Sequence, residues 1–314
     1  MGSSHPRMED GQMGKGAQEA IIRRHYGGRR LHISKKDDLE QKVQEILDGD
    51  LGSFCWSLDF EEDFILRLFA HGFLPICTSL EVAHSANQRI FVLLPKLHRQ
   101  RCILRRLHEM HVDRGARKRS KQYRLTVDAA FERVVEGCIE QHGESWLWPP
   151  MRQALSAAFQ KRLEAPGAEA TAASLHSIEL WKEGCEEPVA GELGYTCGAM
   201  YTSLTGFRRE DGTGTVQMLA LVGLLIRSGF QCWDLGMQMD YKNGLGAEDI
   251  DRCDFVALQR LLRAQGCRHG VVLPSVPLPE GLPAAELFAC IVRAKADSTD
   301  GKAELLAGDH MGTD

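Results

Sequence analysis

The stretch from Gly191 to Ala247 constrains the fold more than any other part of this sequence. Residues 195–207 are rich in Thr, Tyr, Cys and Phe, which favour β-strands. Residues 215–227 are apolar on nearly every face, a pattern typical of a buried helix, and Gly229 is placed to end it. The chain then returns to strand character. This order predicts a buried helix between strands, with Asp234 near the exit of the last strand.

A glycine-broken turn precedes the buried helix. Arg209, Gly212 and Gly214 have the spacing R-x-x-G-x-G. Glycines let the backbone approach an anion, and free N–H groups at a helix N-terminus favour negative charge. The pattern resembles the pyrophosphate loop of the GNAT acyltransferase superfamily. We predict a phosphate site here, with an ordinary turn as the alternative.

The composition is that of an ordinary globular protein. The 314 residues are 43% hydrophobic and 26% charged, with a net charge of −5. No run approaches the roughly 18 apolar residues of a membrane span, and no signal peptide is recognisable at the N-terminus. The ten cysteines are scattered without a C-x-x-C pair, which favours reduced thiols over disulfides or a structural zinc site. We expect a cytoplasmic protein with no metal site and no membrane contact.

The charge is unevenly distributed along the chain. Residues 96–124 contain eleven Lys or Arg against Glu109 and Asp113, so this segment carries +9 and the remainder −14. One concentrated basic segment on an acidic protein indicates nucleic-acid binding, with a solvated basic loop as the alternative. The residues that we assign to nucleic-acid phosphates here are Arg105, Arg106, Arg117, Lys118, Arg119 and Lys121.

Helix and strand patterns predict an α+β fold in two domains. We expect disorder over 1–18, a small N-terminal α+β domain over 19–108, a second domain over 109–275, and an extended or disordered tail over 276–314. Residues 21–33 predict a short hairpin that turns at Gly27-Gly28. Asp128 is predicted to cap the helix that follows it.

The sequence resembles the leucyl/phenylalanyl-tRNA–protein transferase family. The matching stretches, in order, are GFLPI at 72–76, YRLTVDAAFERVVEGC at 123–138, ESWLW at 144–148, HSIELW at 176–181 and WDLGMQMDYKNGLGA at 233–247. The resemblance implies a C-terminal GNAT-like domain with a mixed sheet flanked by helices. It also implies transfer of an amino acid, of the Leu or Phe type, from aminoacyl-tRNA to the N-terminal Arg or Lys of a protein. That product enters N-degron protein degradation. No cofactor is implied, and we expect a monomer.

The resemblance also assigns roles to single residues. Trp146 matches a tryptophan that contacts the 3′-terminal adenosine, with a core tryptophan as the alternative. Asp234 matches the acidic residue that orients and activates the reacting amine, and an ion-paired aspartate is the alternative there. The positions matched to the aminoacyl side-chain pocket are Glu192, Tyr201, Met218, Leu221, Leu225 and Trp233, where plain core packing is an equal alternative.

The sequence departs from the family pattern at several positions, among them the paired tryptophans near the end of the N-terminal domain, which are Leu93 and Leu94 here. The catalytic glutamate falls at Leu204, the catalytic glutamine falls at Gly236, and a methionine of the side-chain pocket falls at Glu192. The relay around Asp234 must therefore differ from the family's. The candidates for its replacement are Ser203, Gln238 and Tyr241.

The departure at Glu192 suggests a different donor. A buried carboxylate in the pocket would disfavour an apolar side chain and prefer a polar or cationic one. Two other functions stay open at this point. One is a GNAT N-acyltransferase that uses acyl-CoA at the Arg209–Gly214 loop, and the other is a tRNA-binding protein without transferase activity.

Overall fold

Two β-sheets organise the chain, a two-stranded hairpin and an eight-stranded mixed sheet. They are seen in a computed structural model that describes residues 13–27, 30–49, 51–82, 89–164 and 173–308. Helices pack against the strands, so the predicted α+β class is confirmed. Within these ranges no helix is both long enough and apolar enough to cross a membrane.

The N-terminal region combines helices with the hairpin. Its elements are α1 (Lys15–Tyr26), α2 (Leu39–Asp48), α3 (Glu62–Ala70), β1 (Leu74–Glu81) and β2 (Arg89–Lys96). The Asp38 side chain caps α2 by accepting hydrogen bonds from two backbone N–H groups of its first turn. β1 and β2 pair antiparallel along their whole length.

The first helix corrects two expectations. The hairpin predicted over residues 21–33 is wrong, because the chain is helical up to Tyr26 and Gly27 ends the helix in the left-handed conformation, with φ of 57°. α1 also starts at Lys15, inside the segment 1–18 for which the sequence predicts disorder. Residues 1–12 of that segment lie outside the described residues.

The large sheet supplies the frame for the rest of the chain. Its strands are β3 (Gln100–Leu104), β4 (Tyr123–Val127), β5 (Ser174–Lys182), β6 (Ala190–Cys197), β7 (Met200–Arg208), β8 (Cys232–Asp234), β9 (Glu248–Asp251) and β10 (Leu282–Pro283). They lie in the order β10-β4-β5-β6-β7-β8-β3-β9, antiparallel except for the parallel pair β7 and β8. β3 therefore belongs to this sheet, whereas the predicted boundary at residue 108 assigned it to the N-terminal domain.

Seven helices of the described chain follow β3. They are α4 (Arg114–Arg119), α5 (Phe131–His142), α6 (Pro149–Glu164), α7 (Thr213–Arg227), α8 (Asp240–Asn243), α9 (Arg252–His269) and α10 (Ala284–Gly308). The buried apolar residues form two large clusters. One includes α3, α5, α6 and α9, and the other is built around α7 and α10.

The buried helix predicted over residues 215–227 is confirmed as α7, which begins two residues earlier. Its second face is covered by α10, where the sequence predicts an extended or disordered tail over 276–314. Leu287, Phe288 and Ile291 are the buried side chains of α10 that cover it. A Cβ at Gly223 would lie 2.0 Å from the Leu287 carbonyl oxygen, so only glycine allows the two helices to pack this closely.

Candidate active site

The candidate site opens where β7 and β8 diverge. Their parallel pairing ends at Thr202 and Asp234. β7 continues beside β6 as far as Arg208, whereas the chain leaves β8 in a loop over residues 235–239. Two adjoining cavities fill the gap, and the residues that line both are Ser203, Leu204, Leu235, Met239 and Lys242.

The first cavity has a volume of ≈ 420 Å³. Among its described lining residues Glu192 is the only acid, and Met218, Trp233 and Phe207 contribute apolar surface. This volume lies in the range that holds a small ligand. The cavity therefore combines apolar walls with a single carboxylate.

Glu192 is the centre of a buried hydrogen-bond network. Its Oε1 accepts from Tyr201 Oη (2.8 Å) and from Ser203 Oγ (2.7 Å). Its Oε2 accepts from Gln217 Nε2 (3.1 Å). Trp233 Nε1 in turn donates to Ser203 Oγ (2.9 Å), so the serine hydroxyl accepts from the indole and donates to the carboxylate.

Burial raises the pKa of Glu192 above its ordinary value, because the charged form loses its hydration. The hydrogen bonds from Ser203, Gln217 and Tyr201 oppose this rise. The side chain is 6% exposed. The carboxyl group therefore retains its proton to a higher pH than a surface glutamate does.

A glycine on β6 makes room for this network. The pairing of β6 with β7 shifts register between Leu193 and Gly194, as in a β-bulge. A Cβ at Gly194 would lie 2.1 Å from Tyr201 Oη. The tyrosine hydroxyl reaches Glu192 only because that Cβ is absent.

The second cavity, of ≈ 300 Å³, continues from the first towards Trp146. Lys96 and His98 line it as well, and Trp146 is partly buried against the core. Lys242 stands at the junction of the two cavities, where its Nζ donates to the carbonyl oxygens of Leu235 (2.5 Å) and Met237 (2.6 Å). Burial lowers the pKa of Lys242.

Asp234 lies behind the cavities and is fully buried. Its Oδ1 accepts from the Gly236 N–H (2.8 Å), and its Oδ2 accepts from Thr202 Oγ1 (3.1 Å). Arg101 Nη1 is 3.6 Å from Oδ2, and both side chains of this ion pair are shielded from solvent. Burial raises the pKa of Asp234 and the Arg101 charge opposes the rise. Among the described residues, Asp234 does not line either cavity.

The other predicted catalytic and pocket residues separate into two groups. Ser203, Met218 and Trp233 line the first cavity. The Tyr201 hydroxyl donates a hydrogen bond to Glu192, the carboxylate of that cavity. Leu221 and Leu225 instead lie fully buried in the α7 cluster, away from both cavities. Gln238 is exposed on the loop after β8 and is not among the described residues that line either cavity. The roles proposed for these side chains stay predictions.

The loop before α7 does not present Arg209 to a phosphate in the way that the sequence pattern predicts. Arg209 is engaged by Glu140 (3.1 Å), Glu187 (3.7 Å) and the Pro188 carbonyl oxygen (3.0 Å), so its guanidinium does not point freely at an anion. Gly212 has φ of 79° and no side chain caps the helix it precedes. Gly214 lines the first cavity.

The basic segment is divided between interior and surface. Arg101 is buried, while Arg105 pairs with Glu248 and Arg106 pairs with Glu109. On and after α4 the side chains are exposed and make no ion pair with any described carboxylate; these are Arg114, Arg117, Lys118, Arg119 and Lys121. The Arg119 guanidinium lies beside Gly212, since a Cβ there would be 3.1 Å from Arg119 Nε. We call the exposed cations of α4 together with Lys121 the free basic surface.

Gln217 and Lys242 were missed by the sequence analysis. Gln217 interrupts the apolar surface of α7, and a polar side chain inside a buried helix is a recognisable signal. Lys242 lies within residues 233–247, one of the stretches that carry the family resemblance. In the described chain, no group of three or more His, Cys, Asp or Glu is arranged to hold a metal ion.

Comparison with known proteins agrees with the resemblance. The sequence model of the leucyl/phenylalanyl-tRNA protein transferase family matches residues 103–260, half of the chain. The leucyl/phenylalanyl-tRNA–protein transferase of Rhizorhabdus wittichii is 30% identical over 203 residues, which is 63% of this chain and 73% of the relative. That of Paramagnetospirillum magneticum is 27% identical over 198 residues, 62% of this chain and 84% of the relative.

The match to the transferase of Salmonella arizonae is 28% identical over 160 residues, 50% of this chain. It spans 63% of that relative, just under two thirds of its length. The match of the family model contains Glu192, Ser203, Asp234 and Lys242, together with α4. By these matches the chain belongs to the leucyl/phenylalanyl-tRNA–protein transferase family.

Proposed function

We propose that this protein moves an amino acid from the 3′ end of an aminoacyl-tRNA to the N-terminal Arg or Lys of a protein. The observation that carries the proposal is the pair of cavities joined at Ser203 and Lys242. One contains a carboxylate among apolar walls, and the other contains Trp146 beside Lys96. A donor with two unlike ends, an amino-acid side chain and an adenosine, matches this arrangement.

In this proposal the 3′-adenosine occupies the second cavity and the aminoacyl side chain occupies the first. Stacking of the base on Trp146 would contribute on the order of 1–3 kcal/mol. The ester bond then lies at the junction, next to Ser203 and Lys242. Exposed cations on α4 bind tRNA phosphates without reading the base sequence.

The transfer itself needs no external energy source. The acceptor amine attacks the ester carbonyl carbon, the C–N bond forms, and the C–O bond to the ribose breaks. The amine proton passes to the departing ribose oxygen. Positioning of the two reactants can lower such a barrier by about 7–11 kcal/mol. Ser203, hydrogen-bonded to Glu192, is the polar group best placed to orient the amine. Lys242 lines the junction beside it, with its Nζ held by the carbonyl oxygens of Leu235 and Met237.

Glu192 bears on which amino acid is transferred. A carboxylate that accepts three hydrogen bonds keeps about one of its four acceptor sites for a ligand, and it would favour a polar or cationic side chain over leucine. The donor class in this proposal is therefore an aminoacyl-tRNA with a hydrogen-bond donor at the end of its side chain. Such donors are made where translation takes place, so we expect the protein in the cytoplasm.

The deciding experiment is transfer from a panel of charged tRNAs to peptides that vary in their first residue. We expect product with an N-terminal Arg or Lys peptide and with polar or cationic donors. Activity with Leu-tRNA that equals or exceeds the activity with polar and cationic donors would exclude the proposed preference for a polar or cationic donor. Salt-sensitive tRNA binding without transfer from any donor would exclude the enzyme activity and favour a binding protein. The acyl-CoA alternative has less support, because Arg209 is engaged by Glu140 and Glu187.

Asp234 is assigned a positioning role. It holds Thr202 on β7 and Gly236 on the loop that lines the second cavity. The substitution Asp234→Asn is expected to lower kcat by about 10²-fold or more while tRNA affinity stays unchanged. Parallel loss of tRNA binding would instead mean that the aspartate maintains the whole fold, and a melting curve of the variant separates the two results.

A further inference from the structure

A third cavity lies in the N-terminal region, outside the residues that the family model matches. Its volume is ≈ 350 Å³. It is formed by the C-terminal end of α1, residues 30–32, Ile46 of α2 and residues 51–56. The side chains that matter here are Arg23, Tyr26, Arg30, His32, Phe54 and Trp56.

The two guanidinium groups of this cavity rest on aromatic rings. Arg30 Cζ is 4.3 Å from the centroid of Tyr26 and 5.3 Å from that of Phe54. Arg23 Cζ is 5.5 Å from the centroid of Trp56. A guanidinium stacked by its face keeps the N–H donors on its edge available, and the ring limits its motion. Both cations are therefore oriented before any ligand arrives.

Neither cation has an acidic partner in the described chain. No described carboxylate forms an ion pair with Arg23 or Arg30, and no Asp or Glu is among the described residues that line the cavity. The nearby carboxylate of Asp59 is occupied, because it accepts from Lys15 Nζ and from the Lys35 N–H (2.8 Å). Two oriented, unpaired guanidiniums in a concave site are complementary to a phosphate group.

The aromatic components are held by the backbone. Trp56 is 2% exposed, and its N–H and carbonyl group pair with Leu31 and Ile33. The His32 ring lies 4.2 Å from the Trp56 ring, centroid to centroid. Burial and the Arg23 charge lower the pKa of His32, so its neutral ring can both donate and accept a hydrogen bond at neutral pH. Such a group complements a nucleobase edge.

Phe54 of the N-terminal cavity contacts Lys96 of the second cavity. Lys96 Nζ lies 4.9 Å from the centroid of Phe54, which lines the N-terminal cavity. Lys96 also lines the second cavity, where Trp146 lies. A nucleic-acid strand that ends at Trp146 can therefore continue past Lys96 without leaving basic and aromatic surface.

We propose that the N-terminal cavity binds a phosphorylated nucleoside, with its phosphate on Arg23 and Arg30. This assignment rests on the proposed function in one respect, which is that the nucleoside is a nucleotide of the aminoacyl-tRNA rather than a free nucleotide. The volume of the cavity suits a nucleoside monophosphate better than a bare phosphate ion.

The test compares Arg23→Ala and Arg30→Ala with the matched control Arg24→Ala. Arg24 is an exposed neighbour on the last turn of α1 and is absent from the described cavity lining. We expect the affinity for uncharged tRNA at fixed salt to fall about 10-fold in the first two variants and less than about 2-fold in the control. Arg30→Lys, which keeps the charge and loses the planar fork, is expected to fall between them.

AMP and inorganic phosphate are the probes for the source of the ligand. AMP binding that depends on Arg23 and Arg30, together with unchanged tRNA binding, would overturn the tRNA assignment. Equal tRNA affinity in all four variants, with no Arg-dependent AMP binding, would overturn the site itself. Near-equal melting temperatures for the variants exclude unfolding as the cause of any loss.

A second readout separates this inference from the proposed function. Transfer from a donor reduced to an aminoacylated 3′-adenosine should be unchanged in Arg23→Ala and Arg30→Ala, because that donor does not reach the N-terminal cavity. Weakened tRNA binding in a protein that transfers nothing would leave this site standing and remove the enzyme proposal. Transfer at the wild-type rate, together with unchanged tRNA binding in Arg23→Ala and Arg30→Ala, would support the enzyme proposal and exclude the N-terminal site.

Discussion

The first cavity and the N-terminal cavity handle charge in opposite ways. In the first, the Glu192 carboxylate is buried and accepts hydrogen bonds from Tyr201, Ser203 and Gln217. In the N-terminal cavity, Arg23 and Arg30 rest on rings without a described ion-pair partner. A satisfied buried acid discriminates between ligands by the cost of burying the wrong group. Unpaired cations near the surface add affinity for any phosphate.

The positions of the two cavities in the fold explain this difference. Glu192 lies on a central strand of the large sheet, where an unpaired charge would be costly and every polar atom needs a partner. Arg23 lies on the last turn of a surface helix, where water can solvate it before a ligand arrives.

The buried ion pair behind the first cavity is expected to give the largest effect. Arg101→Ala leaves Asp234 charged and uncompensated in the interior, so the free energy of unfolding should fall by about 3–5 kcal/mol. The exposed pair of Arg105 and Glu248 provides the control, and Arg105→Ala should cost less than about 1 kcal/mol. Urea denaturation measures both. Similar losses in the two variants would contradict the claim that burial sets the energy.

Glu192→Met is expected to reverse the donor preference. Removing the carboxylate removes the partner of a polar side chain and enlarges the apolar surface for leucine. The ratio of kcat/KM between a Lys-type and a Leu-type donor should shift towards leucine by roughly 10–100-fold. The ratio is the informative quantity, because general damage from the unpaired Ser203 and Tyr201 hydroxyls affects both donors. An unchanged ratio would mean that the side chain of the donor amino acid does not contact Glu192.

The pH dependence of transfer should report the same carboxyl group. Its pKa is raised by burial, so below that raised value Glu192 is neutral and no longer attracts a cationic donor. The kcat/KM for a cationic donor should therefore fall as the pH drops through the raised pKa, while an apolar donor is less affected. Glu192→Gln should remove this limb. Identical profiles for both donors in the wild type would disprove the assignment.

The raised pKa of Glu192 also has a consequence for stability. The folded-state pKa exceeds the unfolded value, so the folded protein retains the proton longer as the pH rises. The free energy of unfolding should therefore decrease as the pH rises from the ordinary pKa to the raised one, by at most about 1.4 kcal/mol for each pH unit in that interval. Glu192→Gln should flatten this part of the stability profile, as measured by denaturation at several pH values.

The smallest effect is expected on the free basic surface. The double substitution of Arg117 and Lys118 by Ala on α4 should reduce the slope of log affinity for tRNA against log salt by about 0.7–0.9 per lost phosphate contact. Arg227→Ala, at the exposed far end of α7, should leave the slope unchanged. Equal slopes for both variants would mean that tRNA phosphates do not contact Arg117 and Lys118.

Local patterns predicted the elements that carry the core. The apolar run of α7 and the helix stop at Gly229 are found as expected, with φ of 82° at the glycine. The same kind of pattern failed at Asp128, which was predicted to cap α5. That residue has φ of 64°, and its carboxylate binds Arg162 (2.7 Å) and His176 (3.1 Å) instead. A cap is a local choice, and the ion pair with Arg162 of α6 together with the contact with His176 of β5 outweighs it.

The site was predictable only as a set of candidates. Position in the sequence could mark Glu192 and Ser203, but their hydrogen bond depends on the register shift at Gly194. Likewise, Asp234 could be placed at a strand exit, whereas its burial against Arg101 follows from the pairing of β3 with β8. Contacts between strands distant in the chain are not visible in local periodicity.

Residue types at fixed local spacing are enough to specify the α+β class, the buried helix between strands and the family. Tertiary structure alone decided which carboxylate faces the cavities, which cations stay unpaired and that the C-terminal segment folds as α10 over α7. These outcomes depend on burial, and burial is set by the elements that pack together rather than by neighbours in the chain.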